Sequence, residues 1–290
     1  METTVEKKSK VRDYRQEVTD KVVSLIEQGK FDQWVKPWVT YGRPRNLSTG
    51  RVYLGGANQL ILGMRMIEES WSYPLFATFL QIKQAGGMVK SEETGTPIMF
   101  YGKGVIEDEE TGAEKEIRIS KFYSVFNISQ TDLNPLDYLQ VIQHDDHLKS
   151  SEVRSFFEAM PFQLEHGGDR ACYNPISDVV TMPEKEQFPK LEDYYRVLGH
   201  EFTHATGHQD RLKRDLSGKF GSQSYAFEEL IAELGSLMLS VHTGLEPKLN
   251  HGAAYINSWL SILKKDTQAI FRASYEANRA SEYLTELAKA

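Results

Sequence analysis

The chain has 290 residues, 40% of them hydrophobic and 26% charged, enough apolar material for one large core or two ordinary ones. Its single cysteine, Cys172, excludes a disulfide within the chain and a thiolate-rich zinc site, so any metal must sit on His, Asp or Glu. The net charge of -7 is unevenly placed: basic residues outnumber acidic ones in residues 1–65, and the acidic excess lies in the later part, as expected for two domains with different partners.

The opening segment METTVEKKSKVRDYRQEV is charged and lacks the apolar stretch of a signal peptide, and no apolar run approaches the ~18 residues that a membrane span needs. With cysteine so scarce, a reducing cytoplasm is the expected setting. Val11, Tyr14, Val18, Val22, Leu25 and Ile26 recur at helical spacing over 11–28, and Gly29 follows as a stop. Pro, Gly and Asn then deny a long helix before about Ala57. NQLILGMRMIEES reads as a helix, and PLFATFLQIKQAGG as another. PIMFYGKGVI and IRISKFYSVFNI read as strands joined by the acidic loop EDEETGAEKE. Residues 129–150 show no core pattern and are expected to be a linker, with HDDH at 144–147 a solvated cluster within it. Beyond it we expect a short helix around Phe156 and Phe157, then a hairpin in which RACY turns through NPISD into VVTM. Two helices carry the motifs below, and the C-terminal helix should break near Asp266, a suitable cap. The fold class is therefore α+β in two domains, 1–128 and 151–290. Neither internal repeats nor low-complexity tracts stand out.

VLGHEFTHATGHQD, residues 197–210, places His200 and His204 four apart. On a helix they project from one face and can share an ion. Leu198, Phe202 and Ala205 fall on the opposite side, which suits burial there. A zinc ion lowers the pKa of its water to ~7, and Glu201 is placed to take that water's proton, the logic of H-E-x-x-H peptidases. Such a site needs a third protein ligand. HEFTHATGHQD offers Asp210 at metzincin spacing. YAFEELIAELGSLML offers Glu228, Glu229 and Glu233 on a later helix. Glu229 accounts for more. It and Glu233 share the edge of a face bearing Leu230, Ile231, Leu234 and Leu237, where a carboxylate costs several kcal/mol unless paired or metal-bound. Asp210 lies in a polar loop, and Met238 sits in a helical pattern rather than the tight turn a metzincin wants.

HEFTHATGHQDRLKRDL and YAFEELIAELGSLML together resemble the metallopeptidase domain of ArdC-type antirestriction proteins. WVKPW, GRPRNLSTGRVYLGGAN and KFYSVFNISQTD resemble that family's N-terminal domain, so the likeness covers nearly the whole chain in the family's domain order. The resemblance implies an N-terminal domain that binds single-stranded DNA and a zincin-like C-terminal domain similar to proteases acting on DNA-bound proteins. It also implies protection of incoming plasmid DNA from restriction enzymes. Carried onto this chain, it makes His200, His204 and Glu229 ligands of one divalent ion, zinc by preference, and Glu201 the general base; in many peptidases of this motif an acidic residue four positions after the third ligand holds the first histidine, the place Glu233 has here. The resemblance gives His208 no clear role.

FDQWVKPWVTYGRPRNLSTGRVY interleaves aromatic and basic residues. Read functionally, Trp34, Lys36, Trp38, Arg43, Arg45, Arg51 and Tyr53 line a basic groove in which bases stack, each stack worth about 1–3 kcal/mol. Read structurally, the aromatics are core anchors and the arginines a solvated face. Asn46 and Asn58 can serve as backbone caps. No sequence-reading element is present, so binding should be largely indifferent to sequence. Two functions follow. One is a DNA-directed protease, with VVTM as a strand to which substrate backbone adds. The other is a DNA-binding shield whose metal site is structural or vestigial.

Overall fold

Asp13 starts the first described element: its carboxylate accepts from the backbone N–H groups of Arg15 and Gln16, at 3.1 and 3.2 Å, and so caps helix α1, Tyr14–Glu27. The computed structural model describes residues 13–31, 42–53, 56–107, 114–141, 148, 150–248 and 253–289. Trp34, Lys36, Trp38, HDDH and the tip of the acidic loop lie outside these residues.

The N-terminal part holds a mixed sheet in the order β1-β2-β4-β3. Its strands are β1 (Arg45–Asn46), β2 (Leu75–Ala77), β3 (Thr96–Glu107) and β4 (Glu114–Asn127). The last two form the expected hairpin, in register from Thr96 opposite Val125 to Glu107 opposite Glu114. Helix α2 (Gly56–Glu68) is clamped to β3 by Asn58, whose side chain bonds both the N–H and the C=O of Met99 at 2.8 and 2.7 Å. The helix expected over PLFATFLQIKQAGG is shorter. A capping box of Thr78 and Gln81 starts α3 at Phe79–Gln84, and the apolar Leu75–Ala77 ahead of it pairs into the sheet.

The stretch expected as linker is folded through Val141. Asn127 and Gln130 form a second capping box, and Leu133 and Tyr138 pack against Leu47, Leu75 and Ile82. The C-terminal part adds α4 (Ser150–Glu158) and a small sheet of β5 (Gln163–His166), β6 (Cys172–Asn174) and β7 (Val179–Met182). Four helices follow: α5 (Leu191–Ala205), α6 (Gln223–Thr243), α7 (Ala253–Lys265) and α8 (Ala269–Leu287). The break between α7 and α8 is made by Asp266, whose carboxylate accepts from the N–H of Gln268 at 2.8 Å.

One core joins the two parts. Val18, Val22 and Ile26 of α1, Phe31, and Leu60 and Met64 of α2 pack with Leu230 and Leu234 of α6, Trp259 of α7 and Ile270 of α8. Phe31 and Trp259 are both fully buried, with ring centroids 6.4 Å apart. A Cβ at Gly56 would lie 1.9 Å from the carbonyl oxygen of Ser274, so only glycine lets α2 touch the backbone of α8.

Candidate metal centre

Helix α5 carries Glu192 and Asp193 in its first turn, favourable against the N-terminal dipole. It buries Leu198, Phe202 and Ala205 on one side, as the apolar spacing requires. Ser222 caps α6 by accepting from the N–H of Tyr225 at 3.2 Å. Leu230, Ile231, Leu234 and Leu237 of α6 enter the core. The two helices cross closely because α6 has Gly235 at the contact: a Cβ there would stand 2.5 Å from Cγ2 of Thr203.

That crossing brings α6 carboxylates onto the α5 histidines. His200, His204 and Glu229 each offer a ligand atom, and these atoms lie within 4.8 Å of one another. The Nε2 atoms of the two histidines are 3.2 Å apart, and they lie 3.5 and 3.6 Å from the Glu229 oxygens. Each histidine is held from behind by another carboxylate. Nδ1 of His200 is 3.3 Å from Glu233, and Nδ1 of His204 is 3.1 Å from Glu228. With Nδ1 so held, both Nε2 atoms face Glu229, a nitrogen and oxygen donor set that suits a divalent metal.

Burial favours the neutral imidazole of His200, yet Glu229 and Glu233 outweigh it and push the pKa up to about 10. Burial likewise opposes charge on His204, and Glu228 and Glu229 lift it to about 9. Burial raises Glu229 too, but the two histidines overcome this and hold its carboxyl far below the ordinary range.

Glu228, which the sequence offered only among the candidate third ligands, supports His204 instead, and Arg214 is a site residue that the sequence did not single out. The Arg214 guanidinium is buried, bonds both Glu228 oxygens, and also donates to the Thr206 hydroxyl and the Thr203 carbonyl at 2.9 and 2.7 Å. A buried Glu inside an apolar helix is the signal for the first. Arg214 sits in polar loop sequence and gives none.

Glu201 is buried at 7% exposure and lines the same cleft without belonging to the ligand cluster. The cleft, about 240 Å³, is walled by β6 residues Cys172 and Tyr173, by α5, and by Tyr225, Glu228 and Glu229 of α6, with Tyr255 of α7 at its far side. Cys172 is exposed there, and burial followed by the charge of Glu201 raises its thiol pKa. For Tyr225, burial and then hydrogen bonding to Glu229 and Tyr255 push the phenol above its ordinary range. Asp210 is outside the cluster: its side chain is 89% exposed and it meets only His208, at 3.5 Å, among the contacts described. The α6 glutamate, not the metzincin-type aspartate, therefore stands with the two histidines.

The strand expected to receive substrate is corrected. The sheet runs β5-β7-β6, with β5 parallel and β6 antiparallel to β7, so VVTM is the central strand and has both edges paired. Among the described residues the open edge facing the cleft belongs to β6. Strand β5 was not expected, because QLEH is short and mostly exposed.

The basic segment divides. Tyr53 is buried at 7% exposure, donates its hydroxyl to the Phe76 carbonyl at 3.0 Å and accepts from Asn46 at 3.1 Å, so its ring is a core anchor. Arg45 is buried in β1 and reaches the Gly50 carbonyl at 3.3 Å. Arg43 is partly exposed and Arg51 is exposed. Asn46 caps its turn, accepting from the N–H groups of Ser48 and Thr49.

Two family descriptions match this chain: the N-terminal domain of anti-restriction factor ArdC over residues 12–126, and a zincin-like metallopeptidase over 151–276. The antirestriction ArdC protein of plasmid R388, in its metal-free crystal structure, is 38% identical, with a TM-score of 0.80 over 96% of this chain and 98% of that one. The chain belongs to the ArdC family. The R388 ArdC protein has also been solved with Mn(II) bound, at a TM-score of 0.79 and 36% identity, over the same 96% and 98%. An uncharacterised protein y4eC of Sinorhizobium fredii is 31% identical over 94% of this chain and 91% of its own length. A DNA primase TraC of Escherichia coli is 30% identical over 93% of this chain, but the match spans only 27% of that protein. No described helix is long and apolar enough to cross a membrane.

Proposed function

We propose that this ArdC-family chain protects incoming plasmid DNA by binding single strands through residues 1–128 and by cutting DNA-bound proteins with the site in 151–290. The reading is carried by one observation: Glu201 is buried beside the ligand cluster without being part of it, the place of a base rather than a brace. Residues His200, His204 and Glu229 would hold the ion, zinc by preference. Bound there, a divalent ion polarises a carbonyl and acidifies water.

The chain's own groups do the rest. Substrate backbone adds antiparallel to the open edge of β6 and lies across the cleft. Glu201 takes a proton from the attacking water and returns it to the leaving amine. Glu228 and Glu233 keep the histidine rings in orientation. Arg43, Arg51 and the segment bearing Trp34, Lys36 and Trp38 hold single-stranded DNA by charge and stacking, with little regard to sequence.

The full-length chain, loaded with metal, should be incubated with single-stranded DNA and a DNA-bound protein, and cleavage followed on a gel. Glu201→Ala should keep metal and DNA binding while cleavage falls ~10²–10⁴-fold. Equal protection of DNA in cells by Glu201→Ala and wild type would move the reading to a shield without peptidase chemistry.

A further inference from the structure

Strand β3 sends Thr96, Ile98 and Phe100 to one face of the hairpin, and its register with β4 sets Val125, Tyr123 and Lys121 opposite them on that same face. The face begins as core: Thr96, Ile98 and Val125 are buried, the last two among Leu62, Met66 and Phe76. Further along it leaves the core. Tyr123 is 36% exposed, Phe100 is 52% exposed, and Lys121 is exposed beside them. The other face is covered there. Met99 packs into the core shared with α1 and α2, and Phe122 meets Tyr14 of α1 with ring centroids 5.6 Å apart. Two large rings therefore stand on the open face as diagonal neighbours on adjacent strands, a separation of about 7 Å.

We propose that Phe100 and Tyr123 form a platform on which bases of single-stranded DNA stack, with Lys121 and Arg51 beside their phosphates. This rests on the single-strand reading of the N-terminal part above. Exposed rings on a sheet face accept unpaired bases of any sequence, because every base has a flat face to offer. The charge beside the rings is positive. Lys121 lies directly across from Phe100. Tyr123 is close enough to Tyr53 for the charge of one phenol to act on the other, and the exposed Arg51 precedes Tyr53 by two residues. The acidic end of the hairpin, where Glu107 pairs with Glu114, is the end away from the rings. A protein docked over the two rings would have to bury Lys121 near the centre of its contact, where charged side chains are disfavoured. A duplex keeps its base faces inside its own stack, so the platform selects single strands.

The test is fluorescence anisotropy of the full chain with a labelled oligothymidine and with an abasic strand of the same length, which keeps the phosphates and removes the bases. Phe100→Ala should lose about tenfold in affinity for oligothymidine and almost nothing for the abasic strand. Phe100→Trp should keep the wild-type affinity for both. The dependence of affinity on salt should be unchanged in Phe100→Ala and should shrink by about one phosphate contact in Lys121→Ala. Melting temperature should hold in all three, since these side chains are exposed. If wild type binds oligothymidine and Phe100→Ala binds it equally well, or loses as much on the abasic strand, the platform is overturned and the single-strand reading stands. A wild type that binds duplex as tightly as oligothymidine, or binds neither, defeats the single-strand reading and the platform with it.

Discussion

Glu228 and Arg214 meet at two points inside the protein: Nε and Nη2 of the guanidinium lie 3.0 and 2.8 Å from the two carboxylate oxygens. One of those oxygens is also 3.1 Å from Nδ1 of His204. Burial works against charge on Glu228, yet His204 and Arg214 outweigh it and keep the carboxyl below its ordinary range. The arginine fork thus fixes a carboxylate, and the carboxylate fixes a ring.

Glu228→Gln should therefore lower metal affinity by ~10–100-fold while the fold survives, the usual consequence of loosening a ligand's outer support. Arg214→Leu should be worse. It strands a buried carboxylate and removes the donor from the Thr203 carbonyl, costing about 3–5 kcal/mol in denaturant unfolding. Unchanged metal affinity in Glu228→Gln would show that His204 needs no such support.

Glu229→Ala should abolish stoichiometric metal binding, because it removes one of three clustered donors. Asp210→Ala should keep it, since that side chain stands in solvent. Elemental analysis of the purified variants decides, and the reverse pattern would return the site to the metzincin arrangement.

The metal-free protein should lose stability as pH rises. His200 and His204 are lifted from 6.5 to about 10 and about 9, so their contribution is whole below about 6.5 and vanishes as pH passes those values. Glu229 is depressed from 4.5, so its contribution is present above about 4.5 and fades only as pH falls well below that. Metal uptake displaces the histidine protons, so metal affinity should climb between pH 6.5 and about 9 while the loaded protein's melting temperature stays level. A metal-free melting temperature that rises over that range would contradict this.

The ligand helix was legible because histidines four apart and an apolar opposite face are properties of one helix. Glu229 was legible because a carboxylate on the Leu230–Leu237 face needs a partner. The position of β7 inside its sheet was not, since strand order depends on β5, whose QLEH carries no alternating pattern. Arg214 was hidden for a similar reason: its partners are separated from it in sequence and meet only when α5 and α6 cross. The basic segment misled at Tyr53, because composition marks an aromatic residue without saying which face the fold will bury.

Tyr53→Phe should leave single-stranded DNA binding unchanged and cost about 1 kcal/mol of stability, the loss of a buried hydroxyl between Asn46 and Phe76. Arg51→Ala should do the opposite, weakening DNA binding and shrinking its salt dependence by about one phosphate contact. Salt titrations of both variants by fluorescence anisotropy, beside denaturant melts, separate the two roles. A Tyr53→Phe protein that melts like wild type but binds DNA poorly would put the ring back in the groove.

The single core across the two parts makes its own prediction. The faces of α1 and α2 are covered by α6, α7 and α8, so neither part has its apolar surface satisfied alone. The intact chain should unfold in one cooperative transition seen alike by tryptophan fluorescence and far-ultraviolet circular dichroism. Trp259→Ala, far from both the DNA segment and the ligands in sequence, should cost about 3–5 kcal/mol by emptying a fully buried site against Phe31. Gly56→Ala should act at the same joint from the other side, because its new methyl meets the backbone of Ser274 and must push α2 off α8. Both substitutions should lower the stability of the two parts together. Two separate transitions in wild type, with Trp259→Ala shifting only one of them, would show that the parts fold independently despite their contact.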